Sequence, residues 1–349
     1  MPRITSLATA LPPNRVTQAE VRATMAERYR DDRTVQRLLP VFDRTGVDRR
    51  YFVKPLDWYA QGPSFETRNQ VFAECGLELA ARAVRGCLDR ANITAEQVDY
   101  LFCVTTTGLM TPSLDARLVA TLGLRADTRR VPLFGLGCAG GAGGLIRAAD
   151  VLRANHRQRA LVVSLELCSL VFSPAARSAT DVVGVALFGD GAAAALVSGD
   201  ELSSGGAMIR DTRTHLFKNA PDLMGWNFTS DGMRLVLSRD VPAFVGTDVG
   251  PVVGRFLSDQ GLSLPELQHF VLHPGGAKVM TTYRTALGVP ETALALARDT
   301  MRHYGNQSSA SVLFMLSDLM ASGAPSAGDL GFLVAMGPGF AAEMLTLSW

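Results

Sequence analysis

Short apolar runs, separated by glycine-rich or polar turns, dominate this chain and predict an α/β protein. Residues 98–105 form an apolar run of strand length, which follows a helical segment ending near Asn92. Residues 267–273 form a similar run. The apolar residues 160–164 and 330–335 have the same length and predict two further strands.

This arrangement occurs twice along the chain. Cys138 follows Val104 by 34 positions, and Asn306 follows His273 by 33. Small residues, a helical segment and a strand come after each of the two polar residues. We therefore expect two related β-α-β halves around a pseudo-twofold axis, residues 1–205 and 206–349, with Cys138 and Asn306 facing each other at the centre. Residues 15–50 are charge-mixed and predict helices that cover this core.

Composition narrows the class of protein. The chain has 349 residues, of which 47% are hydrophobic and 19% charged, as expected for a globular protein with a large interior. A net charge of +1 gives no electrostatic reason to expect nucleic acid or a membrane surface as a partner. We identify no secretion signal, and glycines at 189 and 191 interrupt the longest apolar stretch, so we expect a cytoplasmic protein without stable membrane association.

The five cysteines are scattered and lack CxxC or metal-ligand spacing, which predicts free thiols in a reducing compartment and no metal site. Cys138 differs from the others because residues 131–150 predict a strand, a tight turn and then a helix rich in small residues. A thiol at a helix N-terminus faces unpaired N–H groups, so we expect its thiolate form to be favoured. Cys75, Cys87 and Cys103 lie in apolar runs and are expected to be packing residues.

His273 and Asn306 are the candidate partners of Cys138. A cysteine and a histidine can form a thiolate–imidazolium pair, which activates the nucleophile. His273 precedes Pro274-Gly275-Gly276, and these glycines allow a substrate to approach closely. Asn306 has two interpretations: it caps the helix that follows, or its side-chain amide is an oxyanion donor beside the histidine.

A Cys/His/Asn set also occurs in papain-like proteases, where the asparagine orients the histidine. The repeat argues against that assignment here, because it places His273 and Asn306 side by side as donors toward a substrate oxygen. The chain also lacks the Cys-Gly-Ser-Cys-Trp pattern of those proteases.

Five sequence blocks resemble the signature blocks of type III polyketide synthases, the chalcone synthase superfamily. They are FGLGCAGG around Cys138, LFGDGAA around Phe188, HPGG at His273, GNQSSA around Asn306 and MGPG at residues 336–339. The resemblance begins near residue 45 and extends to the C-terminus. It implies the thiolase fold, a duplicated five-layered αβαβα core, and a soluble homodimer that uses CoA thioesters without a cofactor or a metal.

The resemblance also implies a role for each block. Cys138 would accept the acyl group of a starter from CoA. His273 and Asn306 would bind the thioester carbonyl of malonyl-CoA and stabilise the enolate formed when CO2 leaves, while Phe188 would shield that site. Iterative condensation would be followed by cyclisation to a pyrone, a resorcinol or a related phenolic product.

Further positions match the substrate channels of the family. Arg37 and Arg44, with Lys278, are candidates for the CoA tunnel mouth, although Pro40 stands where another arginine is common and each cation could be a surface charge only. The candidate cavity residues are Cys168, Gly275, Ser308, Gly337 and Pro338. Cys168 matches a second cysteine of tetrahydroxynaphthalene-forming enzymes, and it could also be a simple wall residue.

Two departures from the plant members concern the cavity wall. Leu235 stands where those members have a second gating phenylalanine, and Val171 replaces a threonine-like residue, so we expect a more aliphatic pocket and an aliphatic acyl starter. A synthase that uses malonyl units alone remains an alternative, as does a single-condensation β-ketoacyl-carrier-protein synthase. An inactive partner subunit is a further alternative, but such subunits typically lose the nucleophile that this chain retains.

Overall fold

The computed structural model describes residues 1–172 and 177–349. Its strands are β1 (Arg3–Ala10), β2 (Asn14–Thr17), β3 (Arg49–Phe52), β4 (Tyr100–Thr105), β5 (Arg129–Phe134), β6 (Arg159–Leu167), β7 (Asp190–Ser198), β8 (Ala207–Leu216), β9 (Met224–Thr229), β10 (Gly232–Leu237), β11 (His269–Leu272), β12 (Leu330–Gly337) and β13 (Ala341–Ser348). The α-helices are α1 (Gln18–Arg28), α2 (Arg33–Leu38), α3 (Leu56–Ala60), α4 (Phe65–Ala91), α5 (Leu114–Leu122), α6 (Gly140–Arg153), α7 (Ala179–Leu187), α8 (Val241–Phe244), α9 (Gly250–Ser258), α10 (Ala277–Leu287), α11 (Ala295–Tyr304) and α12 (Ser311–Ala321).

A mixed sheet in the order β11-β12-β13-β8-β1-β7-β6-β4-β5 forms the framework. In its first half β4 is parallel to β6, whereas β6, β7 and β1 are antiparallel in turn. In its second half β11 is parallel to β12, whereas β12, β13 and β8 are antiparallel in turn. The halves meet where Arg3 and Ile4 of β1 pair with Met208 and Ala207 of β8. The duplicated fold predicted from the sequence is thereby confirmed, and the boundary predicted after residue 205 lies between β7 and β8.

Three apolar layers separate the elements. On β4, Phe102 packs in the central layer with α6 and α12, whereas Leu101 and Cys103 pack against α4 on the other face. Phe332 and Val334 of β12 pack in a third layer with α9. Successive strand residues point to opposite faces, so a buried sheet with helices on both sides needs these continuous apolar runs. The order of layers is α, β, α, β, α, as the resemblance implies.

Glycines let the central helix α6 lie against the sheet. A Cβ atom on Gly144 would be 2.7 Å from Cγ1 of Val162 in β6. One on Gly140 would be 2.5 Å from Cγ1 of Val104 in β4. Because side chains at these positions would push the helix away, the small residues after Cys138 fix how deeply the nucleophile is buried.

The N-terminal cover of the core differs in part from the prediction for residues 15–50. It contains α1 and α2, as expected, but β2 and β3 flank them and pair antiparallel, with Val16 opposite Arg50. Val16 and Phe52 are buried by this pairing and pack toward α7. The sequence pattern did not predict these strands, because the residues that pair lie more than 30 positions apart and local periodicity does not reveal such pairing.

Among the helices of the described residues, α4 is the longest, with 27 residues. Its buried residues follow helical spacing, whereas the other face carries charged side chains such as Glu66 and Arg90. Within the two ranges described above, we find no helix with both the length and the apolarity needed to cross a bilayer.

Candidate active site

Cys138 lies on a tight elbow between β5 and α6. Gly135 and Gly137 have φ values of +87° and +49°, which reverse the chain in two steps. The Gly137 N–H donates to Thr106 Oγ1 at 3.1 Å, and a Cβ on Gly137 would be 2.5 Å from Pro338 Cδ. The elbow is therefore held from two sides. It leaves Cys138 only 8% exposed at the start of a short 3₁₀ turn, Gly137–Ala139.

Asn306 lies on the equivalent elbow of the second half. The thiol of Cys138 is 4.0 Å from Asn306 Oδ1. The same Oδ1 accepts a 2.8 Å hydrogen bond from the Ser308 N–H. The two interpretations of Asn306 are therefore compatible, because Oδ1 holds the turn before α12 while the amide nitrogen is left as a donor.

Phe188 is attached to this elbow through its backbone. The Asn306 N–H donates to Leu187 O at 2.8 Å, and the Gly189 N–H donates to Asn306 O at 3.0 Å. These bonds form a parallel bridge between Phe188 and Asn306. Glycine is required at position 189 because a Cβ there would be 2.4 Å from Tyr304 O. Phe188 and Asn306 therefore keep a fixed relative position.

His273 follows β11 and is 3% exposed. Its N–H donates to Val334 O at 3.0 Å, and its carbonyl accepts from the Gly275 N–H at 2.9 Å, so the backbone is fixed on both sides. Neither Nδ1 nor Nε2 has a hydrogen-bond partner among the described residues. Burial lowers the pKa of the imidazole to about 3, which makes it a neutral N–H donor at physiological pH.

The state of Cys138 differs from the sequence prediction. Burial raises the pKa of the thiol to about 12, and the nearby Glu166 carboxyl also raises it, while hydrogen bonds with the side chains of Ser308 and Asn306 act in the opposite direction. The expected stabilisation of thiolate at the helix start is outweighed by the loss of solvent. Without substrate, the site therefore contains a neutral thiol and a neutral imidazole rather than the expected ion pair.

A buried carboxyl group lies near the Cys138 thiol. Glu166 of β6 accepts from Thr107 Oγ1 at 2.8 Å, from the Thr106 N–H at 3.1 Å and from Ser309 Oγ at 2.5 Å. Burial raises the pKa of Glu166 to about 7, although these donors act against the increase. Glu166 is not among the residues predicted from the sequence. A single glutamate inside an apolar strand does not reveal its partners, because its hydrogen-bond donors are distant in sequence.

The surroundings of Leu235, a candidate cavity residue, are more aromatic than the sequence predicts. Trp226 of β9 pairs directly with Leu235 of β10, and its ring lies 6.3 Å from that of Phe188 and 6.2 Å from that of Phe172. Leu235 does reach the same wall, because a Cβ on Gly184 would be 3.2 Å from its Cδ2. The expectation of an aliphatic wall from Leu235 and Val171 is therefore incomplete, since Trp226 supplies an indole opposite the leucine.

The remaining candidates are distributed around this centre. Ser308 and Cys168 are buried. A hydrogen bond with Ser308 acts to lower the pKa of Cys138, whereas burial and, to a smaller extent, nearby charges that include Cys138 raise the pKa of Cys168. Val171 follows the 3₁₀ turn that contains Cys168. Gly337 packs on the elbow, since a Cβ there would be 2.1 Å from Leu136 O, and Pro338 touches Gly137 as described above. The three candidate CoA cations are exposed: Arg37 at the end of α2, Arg44 in a 3₁₀ turn, and Lys278 in the first turn of α10.

All five cysteines are free thiols, as predicted. Over residues 1–172 and 177–349 we find no cluster of three or more His, Cys, Asp or Glu side chains with the arrangement of a metal site. The Cys138 thiol and the Asn306 carboxamide meet in a buried site, and the buried imidazole of His273 follows β11, the strand that pairs with β12. A thiol, an imidazole and a carboxamide are groups that suit acyl transfer and the stabilisation of an oxyanion.

The fold and this site together define an acyl-transferring condensing enzyme with a thiolase-like α/β fold. The sequence profile described as chalcone and stilbene synthases, N-terminal domain, matches residues 2–201, and the corresponding C-terminal domain profile matches residues 210–348. The chain belongs to the chalcone and stilbene synthase family and is a type III polyketide synthase. Enzymes of this family act on CoA thioesters, malonyl-CoA and acyl-CoA, and need no separate cofactor.

Relatives of the chain match it over nearly its whole length. A 1,3,6,8-tetrahydroxynaphthalene synthase of Streptomyces peucetius subsp. caesius is 40% identical over 352 residues, which is 99% of this chain and 93% of the relative. A putative chalcone synthase of Bacillus subtilis (strain 168) is 38% identical, with 99% and 98% coverage. The crystal structure of the 1,3,6,8-tetrahydroxynaphthalene synthase of Streptomyces coelicolor A3(2) superposes with a TM-score of 0.95, at 30% identity and 99% coverage of both chains.

Proposed function

We propose that this enzyme loads an acyl starter from CoA onto Cys138 and extends it with malonyl-CoA. The extension is an iterative decarboxylative Claisen condensation, and the product cyclises to a pyrone, a resorcinol or a related phenolic compound. The observation that carries this proposal is the contact between the Cys138 thiol and the Asn306 side chain in a buried site, and the unpartnered, buried His273 imidazole is proposed to face the same site.

Loading requires one proton transfer and one acyl transfer. As the sulfur of Cys138 attacks the starter thioester, the neutral His273 imidazole accepts the thiol proton. The CoA thiolate leaves and recovers that proton from the imidazolium, which leaves an acyl-Cys138 thioester and free CoA. The low pKa of buried His273 and the high pKa of buried Cys138 mean that charge forms only when a substrate is present.

Extension begins when malonyl-CoA enters the same site. The N–H groups of His273 and Asn306 donate to its thioester carbonyl oxygen, which becomes the enolate oxygen as CO2 leaves. The enolate carbon attacks acyl-Cys138, a carbon–carbon bond forms, and the cysteine is released as thiolate. No carboxylate base is needed, because the loss of CO2 supplies the carbanion. Phe188 excludes water from this step through its fixed position beside Asn306.

The wall around Phe188 favours a starter without a large ring. Leu235, Trp226, Phe172 and Val171 leave apolar surface for an alkyl chain, and the indole of Trp226 limits the depth of that surface. We therefore assign an aliphatic acyl-CoA as the starter. A malonyl-only reaction is the second candidate, because the relative that is 40% identical is named as a tetrahydroxynaphthalene synthase and Trp226 shortens the cavity.

CoA is proposed to approach from the side of α2 and α10. Arg37 and Lys278 are exposed cations of these two helices, Arg44 is exposed in the 3₁₀ turn after α2, and phosphate groups are the CoA feature that such cations bind. The glycines of the segment His273 to Gly276 would let the pantetheine chain pass close to the backbone.

The enzyme is proposed to be a homodimer. Strand β5 lies at the edge of the nine-stranded sheet, and its side chains are largely exposed. Phe134 at its end is 49% exposed and lies 6.5 Å from the ring of Phe228, which is 55% exposed. An unpaired edge strand with exposed aromatic residues is a surface that a soluble protein usually covers. A second copy of the chain is the proposed cover, because a twofold-symmetric dimer uses the same surface patch on both subunits.

The decisive experiment is incubation of the pure protein with malonyl-CoA alone and with malonyl-CoA plus saturated acyl-CoAs of graded length. Mass spectrometry of the products identifies both starter and number of extensions. Products that contain the added acyl chain support the aliphatic starter, and products built from malonyl units only support the second candidate. Absence of any condensation product with all substrates would refute the proposed function.

A further inference from the structure

Arg68 is a buried cation outside the groups that the reaction uses. It lies in the first turn of α4, and its side chain is fully enclosed, with 1% of the residue exposed. Its Nη1 donates to three successive carbonyl oxygens, those of Leu170 at 2.9 Å, Val171 at 3.0 Å and Phe172 at 2.7 Å. A guanidinium can hold several carbonyls at once because its N–H groups form a rigid planar fork.

The second nitrogen of the same guanidinium contacts a different element. Arg68 Nη2 donates to the carbonyl of Asp231, in the turn between β9 and β10. Gly232 comes next, and a Cβ there would be 2.9 Å from Nη2 and 3.1 Å from Cδ2 of Phe65. The backbone of the hairpin therefore rests directly on Arg68, and glycine at 232 permits the contact.

These two sets of bonds join the two segments that the proposed function assigns to the walls of the acyl cavity. Residues 170–172 supply Val171 and Phe172 on one wall, and the β9–β10 hairpin supplies Trp226 and Leu235 on the other. The ring centroids of Phe172 and Trp226 are 6.2 Å apart across this junction. One rigid group bonded to both backbones fixes their separation, whereas two separate contacts would allow the walls to move independently.

Burial of a guanidinium is costly, and burial lowers the pKa of Arg68. Its acceptors in both walls are backbone carbonyls, and the nearby charge is that of Asp231, which lies on the surface. The need to satisfy the buried carbonyls of residues 170–172 explains why an arginine is buried at position 68. That need does not explain its additional bond to the hairpin, which is a separate element with its own strand pairing.

We propose that Arg68 is a positioning residue that sets the length of acyl chain accepted at Cys138, by holding the β9–β10 hairpin at a fixed distance from residues 170–172. The inference rests on the proposed function, since it concerns the cavity that receives the starter. Arg68 contacts neither the substrate nor the reacting atoms and acts only through Phe172, Trp226 and Leu235.

Two variants disturb the contact from opposite sides. Arg68→Lys keeps the charge but lacks the fork that reaches both walls. Gly232→Ala leaves Arg68 intact and pushes the hairpin away from it. Matched controls are Arg82→Lys, which alters an arginine on the outer part of the same helix α4, and Gly225→Ala, in the same hairpin, where a Cβ would meet nothing within 4 Å. Using both variants keeps the test valid if one of them fails to fold.

Three measurements are made on each folded protein: kcat/KM for saturated acyl-CoAs of increasing length, CO2 release from malonyl-CoA, and hydrogen exchange of the backbone amides of residues 224–237. In both variants we expect the ratio of kcat/KM for long over short acyl chains to change about tenfold, the size of a methylene-scale discrimination. We expect CO2 release to stay within about twofold of wild type, since His273 and Asn306 are untouched, and hairpin exchange to be faster. The two controls are expected to match wild type.

A purely structural role predicts a different result, in which condensation and CO2 release fall in parallel and the length profile keeps its shape. That result, or an unchanged length profile in either folded variant, would overturn the proposal. If wild-type protein forms no condensation product with any acyl-CoA, the proposed function fails first, and this inference fails with it. The wild-type assay therefore separates the two failures.

Discussion

Gly141 of α6 lies directly against Ser309 of the second half, so closely that a Cβ on the glycine would be 2.1 Å from Ser309 O. The two central helices therefore touch through backbone at the point where each begins. This contact brings the two elbows together and places the Cys138 thiol beside the Asn306 side chain. The duplicated fold thus produces one shared site from two separate turns, and the site can be tested one group at a time.

Cys138→Ala is expected to abolish covalent loading and product formation, because Cys138 provides the sulfur at the elbow. Intact-mass spectrometry after incubation with an acyl-CoA measures the added acyl group directly. Cys75→Ala is the matched control, since Cys75 is also a free thiol but lies on α4 away from the elbow. An acyl adduct on the Cys138→Ala protein would exclude Cys138 as the acceptor.

His273→Ala and Asn306→Ala are expected to impair malonyl-CoA decarboxylation more than the loading of Cys138. Each removes one donor to the enolate oxygen, which typically costs about 10²–10³-fold in rate. His273→Gln should retain more activity than His273→Ala, because a neutral amide N–H can replace a neutral imidazole N–H. Labelled CO2 release measures the step, with His303→Ala as a control for loss of a nearby histidine. Release at the wild-type rate from either alanine variant would disprove the assigned role of that residue.

Leu235→Phe is expected to shorten the longest acyl chain that the enzyme accepts, and Trp226→Leu is expected to lengthen it. Each methylene that fits contributes up to about 0.8 kcal/mol, so kcat/KM should increase with chain length and fall where the cavity ends. The position of that fall, measured across acyl-CoAs, is the readout. Asn227→Phe adds a ring at an exposed neighbour of Trp226 and should leave the limit unchanged. If Leu235→Phe also leaves it unchanged, Leu235 does not bound the cavity.

The free energy of unfolding is expected to depend on the protonation of Glu166. Its pKa is about 7 in the folded chain against an ordinary value of 4.5, so between these pH values the unfolded chain loses the proton and the native chain keeps it. Stability is therefore highest below pH 4.5 as far as this group is concerned, falls as pH rises to about 7, and is level above. The loss amounts to at most about 3–4 kcal/mol, since one pKa unit corresponds to about 1.4 kcal/mol.

Urea unfolding at pH 5 and pH 7.5 measures this effect in wild type and in Glu166→Gln, which has no such proton to lose. We expect the wild-type decrease between the two pH values to be larger than that of the variant. The exposed Glu27→Gln serves as control and should follow wild type. Identical pH dependence in wild type and Glu166→Gln would show that Glu166 is ionised in the native protein across this range.

Phe134→Asp is expected to convert a dimer into monomers, because it places a charge on the exposed apolar end of the edge strand β5. Light scattering coupled to gel filtration measures the molar mass. Arg255→Asp introduces the same side chain on the outer face of α9 and should not change the mass. A wild-type protein that is monomeric at all concentrations would refute the proposed homodimer.

Local signals account for most of the fold that the sequence predicts. The capped turns at Thr94 and Ser263, each just before a strand, are fixed by contacts within four residues. The glycines at positions 135 and 137 likewise fix the elbow of Cys138 through their own φ values. Such features depend on neighbours in sequence, so their spacing indicates a duplicated α/β protein, and the signature blocks around them carry the resemblance to the family.

Contacts between distant residues determined what the sequence missed. Trp226 contacts Phe172 and Phe188, and Arg68 bonds to the β9–β10 hairpin, only because chain segments far apart in sequence meet there. Arg68 is 163 residues from its acceptor Asp231. The pKa of Cys138 was predicted in the wrong direction for the same reason. The helix start is a local feature that favours thiolate, but the burial that raises the pKa arises from the packing of both halves around the site.

The sequence by itself therefore determined the repeat, the two elbows and the candidate reactive groups, because these follow from local backbone conformation and residue spacing. Only the tertiary structure decided the burial of Cys138 and His273, the ring contacts of Trp226, and the bonds by which Arg68 joins residues 170–172 to the β9–β10 hairpin. Those properties depend on desolvation and on contacts across more than a hundred residues, which no local pattern specifies.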